Sequence, residues 1–110
     1  MGLLIGIIQR KVLKQEQSRY QFQLLTITKG LSVAHRSCEN LTQTGTNYQA
    51  DPVMTKILNE RLAKLKALED QLREQKEEIT TRLDEIKTEL QSVNAMIKEG
   101  VQEMFSYSAA

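Results

Sequence analysis

Tryptophan is absent from this chain, and proline, cysteine and histidine occur once each. The aromatic total is two Phe and three Tyr in 110 residues. A compact globule of that size would draw its core from aromatic and branched apolar side chains, so this paucity argues against one. Cys38 is alone, so no disulfide can form within the chain. His35 is also alone and sits three residues before it, which puts the two on neighbouring points of a helix face. A Cys–His nucleophile or half of a metal site would start this way. No third or fourth ligand, Gly-rich phosphate loop or nucleophile elbow accompanies it, so the sequence reads as non-enzymatic, with no cofactor, metal or small-molecule ligand. Cys38 then becomes a small packing residue and His35 a solvated flank.

Net charge is only +1, which gives no field directed at nucleic acid or anionic membrane. The run Arg10-Lys11-Val12-Leu13-Lys14 lacks interleaved aromatics and reads as the wet edge of a helix. Residues 1–50 carry six basic and two acidic side chains, whereas residues 51–110 carry nine and twelve. Two such halves would attract each other side by side, although chance composition accounts for the split equally well. The apolar start, Met1 to Ile8, has no basic region before it and no small-residue cleavage site. It falls far short of the ~20 apolar residues of a membrane span. The expected location is cytoplasmic, or outside the cell by a signal-less route. A shallow membrane contact through Leu3–Ile8 is a third, lesser reading.

What the chain does contain is Leu, Ile, Glu, Lys, Arg and Gln, the composition of long helices and coiled coils. The clearest break is residues 42–51, where Gly45, Asn47 and a threonine cluster favour a turn. Asp51-Pro52 closes it as an N-cap followed by a first-turn proline. A second helix is expected from Pro52 to about Tyr107, with a short tail at 108–110. Its heptad series are Leu58, Leu65, Leu72, Ile79, Ile86 and Leu62, Glu69, Lys76, Leu83, Leu90, and they continue through Val93, Ile97, Gly100 and Met104. Alternating steps of three and four place both series on one coiled-coil seam. Glu69 and Lys76 interrupt the seam. A hairpin turn near Gly45–Asn47 would bring Lys76 close to Gln17, giving a polar layer of Gln17, Glu69 and Lys76, unless these side chains simply reach out to water.

A first helix is expected over residues 1–41. Its seam is Tyr20, Leu24, Ile27, Leu31, Ala34, Cys38 and Leu41. Alternation over Tyr20–Thr28 offers a competing strand, but no second strand is available to pair with it. A second stripe, Ile5, Ile8, Val12, Phe22, Leu25 and Val33, lies on a different face. A helix apolar on two faces expects burial on two sides. A hairpin closing near residue 46 would pair Leu41 with Pro52 and Leu3 with Leu90. The second helix would then overhang by roughly fifteen residues carrying Val93, Met96, Ile97, Val101, Met104, Phe105 and Tyr107. That stripe would be covered by Leu3, Leu4, Ile5, Ile7 and Ile8 of another subunit, with Val12, Phe22, Leu25 and Val33 as further intersubunit contacts, the alternatives being a frayed terminus or a first helix offset or bent to reach the overhang.

The fold class expected is therefore an all-α antiparallel helical hairpin that joins a larger helical bundle. A short N-terminal helix, a polar turn and a long C-terminal helix in about a hundred residues resemble the needle and filament subunits of type III secretion systems. Leu24-Leu-Thr-Ile-Thr-Lys-Gly-Leu-Ser-Val-Ala-His35 is faintly similar to the N-terminal core helix of flagellins. The turn at Gly45-Thr-Asn-Tyr48 differs from the proline-containing turn of needle subunits, and no functional residue carries across. The resemblance implies a structural subunit that assembles with itself, a filament or tube being one such form. The other reading is a coiled-coil adaptor or chaperone that holds another protein's helices. Homopolymers against small defined complexes would separate the two.

Overall fold

A computed structural model of the chain describes residues 2–109. Two helices account for nearly all of them: α1 spans Gly2–Asn47 and α2 spans Pro52–Ala109. The fold is an all-α helical hairpin, and the described residues contain no strand. Tyr20–Thr28 is helical, so the strand alternative fails there.

α1 runs six residues further than the turn composition implied. The hydroxyls of Thr42, Thr44 and Thr46 donate to the carbonyls of Cys38, Asn40 and Thr42 at 2.8, 2.9 and 3.1 Å. Threonine in a helix can return its hydroxyl to the carbonyl one turn back, so a threonine cluster need not break the helix. The turn expected at 42–51 is thus confined to Tyr48–Asp51. The Asp51 amide donates to the Tyr48 carbonyl at 3.0 Å, and Thr55 donates its amide to the Asp51 carbonyl at 2.9 Å, opening α2. One carboxylate oxygen of Asp51 accepts from the amides of Val53 and Met54 at 3.1 and 3.2 Å. That is the N-cap arrangement, with Pro52 at the position where a missing N–H costs nothing. Of the tail expected at 108–110, the first two residues are helical, since α2 reaches Ala109, and Ala110 lies outside the described residues.

The contacts divide into two units, one of residues 1–23 with 79–110 and one of residues 24–78. In the first, Leu13, Ile86, Leu90 and Val93 form a buried cluster with Tyr20 and Ile97 packed against it. The arms approach closely at two glycines. A Cβ on Gly6 would lie 2.9 Å from Ile97 Cγ1, and one on Gly100 would lie 3.1 Å from Leu3 Cβ. In the second unit Ala34, Cys38 and Leu58 are buried, and Gly30 faces Leu72.

This pairing corrects the expected register. Leu3 meets Gly100, not Leu90. Moving the turn to Tyr48–Asp51 lengthens α1 and draws more of α2 alongside it. The overhang therefore starts near Val101, and Val93 and Ile97 belong to the hairpin's own packing.

Candidate interaction surfaces

The seam positions on α1 are buried or half-buried at Tyr20, Leu24, Ile27, Leu31, Ala34, Cys38 and Leu41. The same holds on α2 for Leu58, Leu62, Leu65, Leu72, Ile79, Leu83, Ile86 and Leu90. The seam also extends toward the N-terminus through Gln17, which was expected in its polar layer, and through Leu13, Arg10, Gly6 and Leu3, which were not expected there. Stepping back from Tyr20 by three and four finds each of these residues. Glycine and arginine in two of the four unexpected places hid the pattern.

The polar layer is rearranged. Glu69 is buried, but its cross-hairpin neighbour is His35, whose Nδ1 lies 3.4 Å from Oε1. Arg73 holds the same oxygen at 3.0 Å from one turn along α2. His35 Nε2 also faces Glu39 at 3.1 Å, so His35 is the exposed flank expected of it and lies between two carboxylates. Lys76 is exposed, not a seam residue, and Gln17 is half-buried in the first unit. There, Arg82 contacts Glu85 at 3.1 Å, Glu89 at 3.4 Å and, across the hairpin, Glu16 at 3.0 Å. The hydrogen bond to Glu85 leads in pushing the Arg82 pKa up, against partial desolvation, with Glu89 and Glu16 adding to it. Its charge is permanent.

Among the described residues, no group of three or more His, Cys, Asp and Glu side chains is placed to hold a metal ion. No helix is long and apolar enough to cross a membrane.

The outward faces of the two helices differ in kind. On α1 the face away from the seam carries exposed Leu4, Ile5, Ile8, Val12 and Phe22 in the first unit, and Leu25 and Val33 in the second. Phe22 is 69% exposed. The corresponding face of α2 carries Lys64, Asp70, Glu74 and Glu77, then Asp84, Gln91 and Lys98, all in water. α2 also exposes Val53, Ile57, Leu68 and Met96, spaced among these charged side chains. Beyond Gly100, Val101, Met104, Phe105 and Tyr107 are exposed, Phe105 by 71%. Of the residues expected between subunits, Leu3, Val93 and Ile97 pack within the hairpin, while Leu4, Ile5, Ile7, Ile8, Val12, Phe22, Leu25, Val33, Val101, Met104 and Phe105 lie on the surface. Comparison with protein-family models, with curated proteins and with solved structures finds no match to this chain.

Proposed function

We propose that this protein is a structural subunit that assembles with copies of itself through the outward face of its first helix. The observation that carries this reading is the contrast between the two helices. Leu4, Ile5, Ile8, Val12, Phe22, Leu25 and Val33 stand exposed on α1, whereas on α2 the outward positions Lys64, Asp70, Glu74, Glu77 and Asp84 are charged and exposed apolar residues before Gly100 are Val53, Ile57, Leu68 and Met96. Scattered apolar residues are ordinary on a surface, but a run along one helix face marks a contact. Each large side chain left in water forfeits ~1.5–3 kcal/mol available from burial. In the assembly α1 lies inward and the charged α2 outward, and no catalytic step is involved. A filament or tube is one form such packing takes, in keeping with the architectural resemblance to secretion needle and filament subunits.

Replacing Phe22 or Leu25 by Asp tests this directly. Helicity should stay at the wild-type level while the mass in light scattering falls toward that of one chain. If both variants keep the wild-type mass, α1 is not the contact. Negative-stain microscopy of the wild type then separates a polymer from a small closed oligomer. A wild-type chain found only in a defined complex with a different protein would favour the adaptor reading instead.

A further inference from the structure

Two surfaces at the open end of the first unit complement each other in charge, and both carry apolar side chains. The first is a groove of about 510 Å³ between the start of α1 and the last turns of α2. Leu3, Met96, Met104 and Tyr107 give it an apolar lining, and Glu99 and Glu103 give it an acidic one. The second is a stripe on α1 made of Leu4, Ile7, Ile8, Lys11 and Lys14, all exposed. These numbers fall at i, i+3, i+4, i+7 and i+10, the spacing with which one helix face anchors in a groove. Neither acid of the groove, nor Lys11 or Lys14 of the stripe, nor Arg10 beside it, has an ion-pair partner among the described residues, whereas Arg82 nearby pairs with Glu16, Glu85 and Glu89.

We infer that the end groove of one copy receives the Leu4–Lys14 face of α1 from a second copy, a specific contact that rests on the self-assembly reading. The chain cannot make this contact with itself. Gly100 packs on Leu3 in an antiparallel pair, so Lys11 lies about seven residues along the axis from Glu99 and about eleven from Glu103. At ~1.5 Å per residue these separations are roughly 10 and 16 Å, at or beyond the screening length at physiological salt. The α1 stripe also points away from its own seam. In a second copy, Leu4, Ile7 and Ile8 meet the apolar lining while Lys11 and Lys14 reach Glu99 and Glu103. Each charge pair is spaced by about one helical turn. Because groove and stripe are different surfaces of one chain, each copy that gives its stripe still offers its groove. The contact therefore repeats head to tail.

Charge exchange tests it with the full chain. Three variants are compared with wild type by sedimentation over a concentration series: Lys11→Glu with Lys14→Glu, Glu99→Lys with Glu103→Lys, and all four together. Circular dichroism confirms that each is helical. Either double reversal should raise the concentration needed for assembly roughly tenfold or more, and the fourfold exchange should return it to within about threefold of wild type. A helical double reversal that assembles like wild type overturns the contact, and so does a helical fourfold variant that fails to recover. If the charge variants change nothing but Phe22→Asp dissolves the assembly, this inference falls and the proposed function stands. A wild type that stays single up to about 1 mM removes both.

Discussion

Asp51 ties down the first turn of α2 with one carboxylate oxygen that serves two backbone amides, Val53 and Met54. Alanine there leaves those donors to water, and the expected loss is ~0.5–2 kcal/mol, read as a lower melting temperature at fixed protein concentration. An unchanged melt would mean the cap contributes nothing. Glu69 presents the opposite case. It sits in the seam between Leu65 and Leu72 and is 9% exposed, so its charge is largely removed from water. Arg73 and His35 offset part of that cost but do so from exposed positions. Replacing a buried ion pair by an apolar side chain of similar volume is often neutral or stabilising. Glu69→Leu should therefore raise stability by about 1 kcal/mol in thermal melting. A fall in melting temperature would show that the His35–Glu69–Arg73 cluster stabilises the hairpin more than packing can.

For the helices as elements, glycine placement separates two roles. Gly6 stands where α1 approaches α2 closely, and an added Cβ would overlap Ile97 Cγ1 at 2.9 Å. Gly30 has only ordinary contact with Leu72, 3.5 Å from where a Cβ would lie. Glycine inside a helix costs ~0.5–1 kcal/mol relative to alanine when nothing needs the space. Gly30→Ala should accordingly stabilise the chain by about that amount, whereas Gly6→Leu should destabilise it by ~1–3 kcal/mol through overpacking. Chemical denaturation of both variants checks the pair, and an equal response from the two would remove the close-approach explanation. The threonines at the end of α1 act on the same scale. Three hydroxyls are satisfied inside the helix by carbonyls four residues back, and the helix runs on to Asn47.

For the molecule as a whole, the hairpin closes on itself from Leu3 against Gly100, and α2 continues past that point with Val101, Met104, Phe105 and Tyr107 exposed. Deleting residues 101–110 should leave the Leu13, Ile86, Leu90 and Val93 cluster intact, so helicity and the melting midpoint of the single chain should change little. Assembly should be lost, because Glu103, Met104 and Tyr107 line the end groove. If the shortened chain assembles like the parent, the overhang plays no part. Cutting back to residue 93 would be a different experiment, since it removes Val93 and Ile97 from the hairpin's own packing.

The helical class, the cap at Asp51-Pro52 and the seam of α2 were all legible in the residues. Each is a property of one helix, set by capping chemistry or by a seven-residue period that survives wherever the helix is placed. The register between the two helices was not. A heptad stripe fits its partner at many offsets, and a threonine-rich segment can end a helix or prolong it. Only the packed pair decides between them. Gly6 against Ile97, Gly100 against Leu3 and His35 against Glu69 mark the alignment that tertiary contact selected. That choice moved Val93 from an expected contact surface into the core and Ile97 against it, and it added Leu3, Gly6, Arg10 and Leu13 to the seam. Periodicity says which face of a helix is buried, but the partner's position along the axis is fixed only where close approach and a paired buried charge exclude the other offsets.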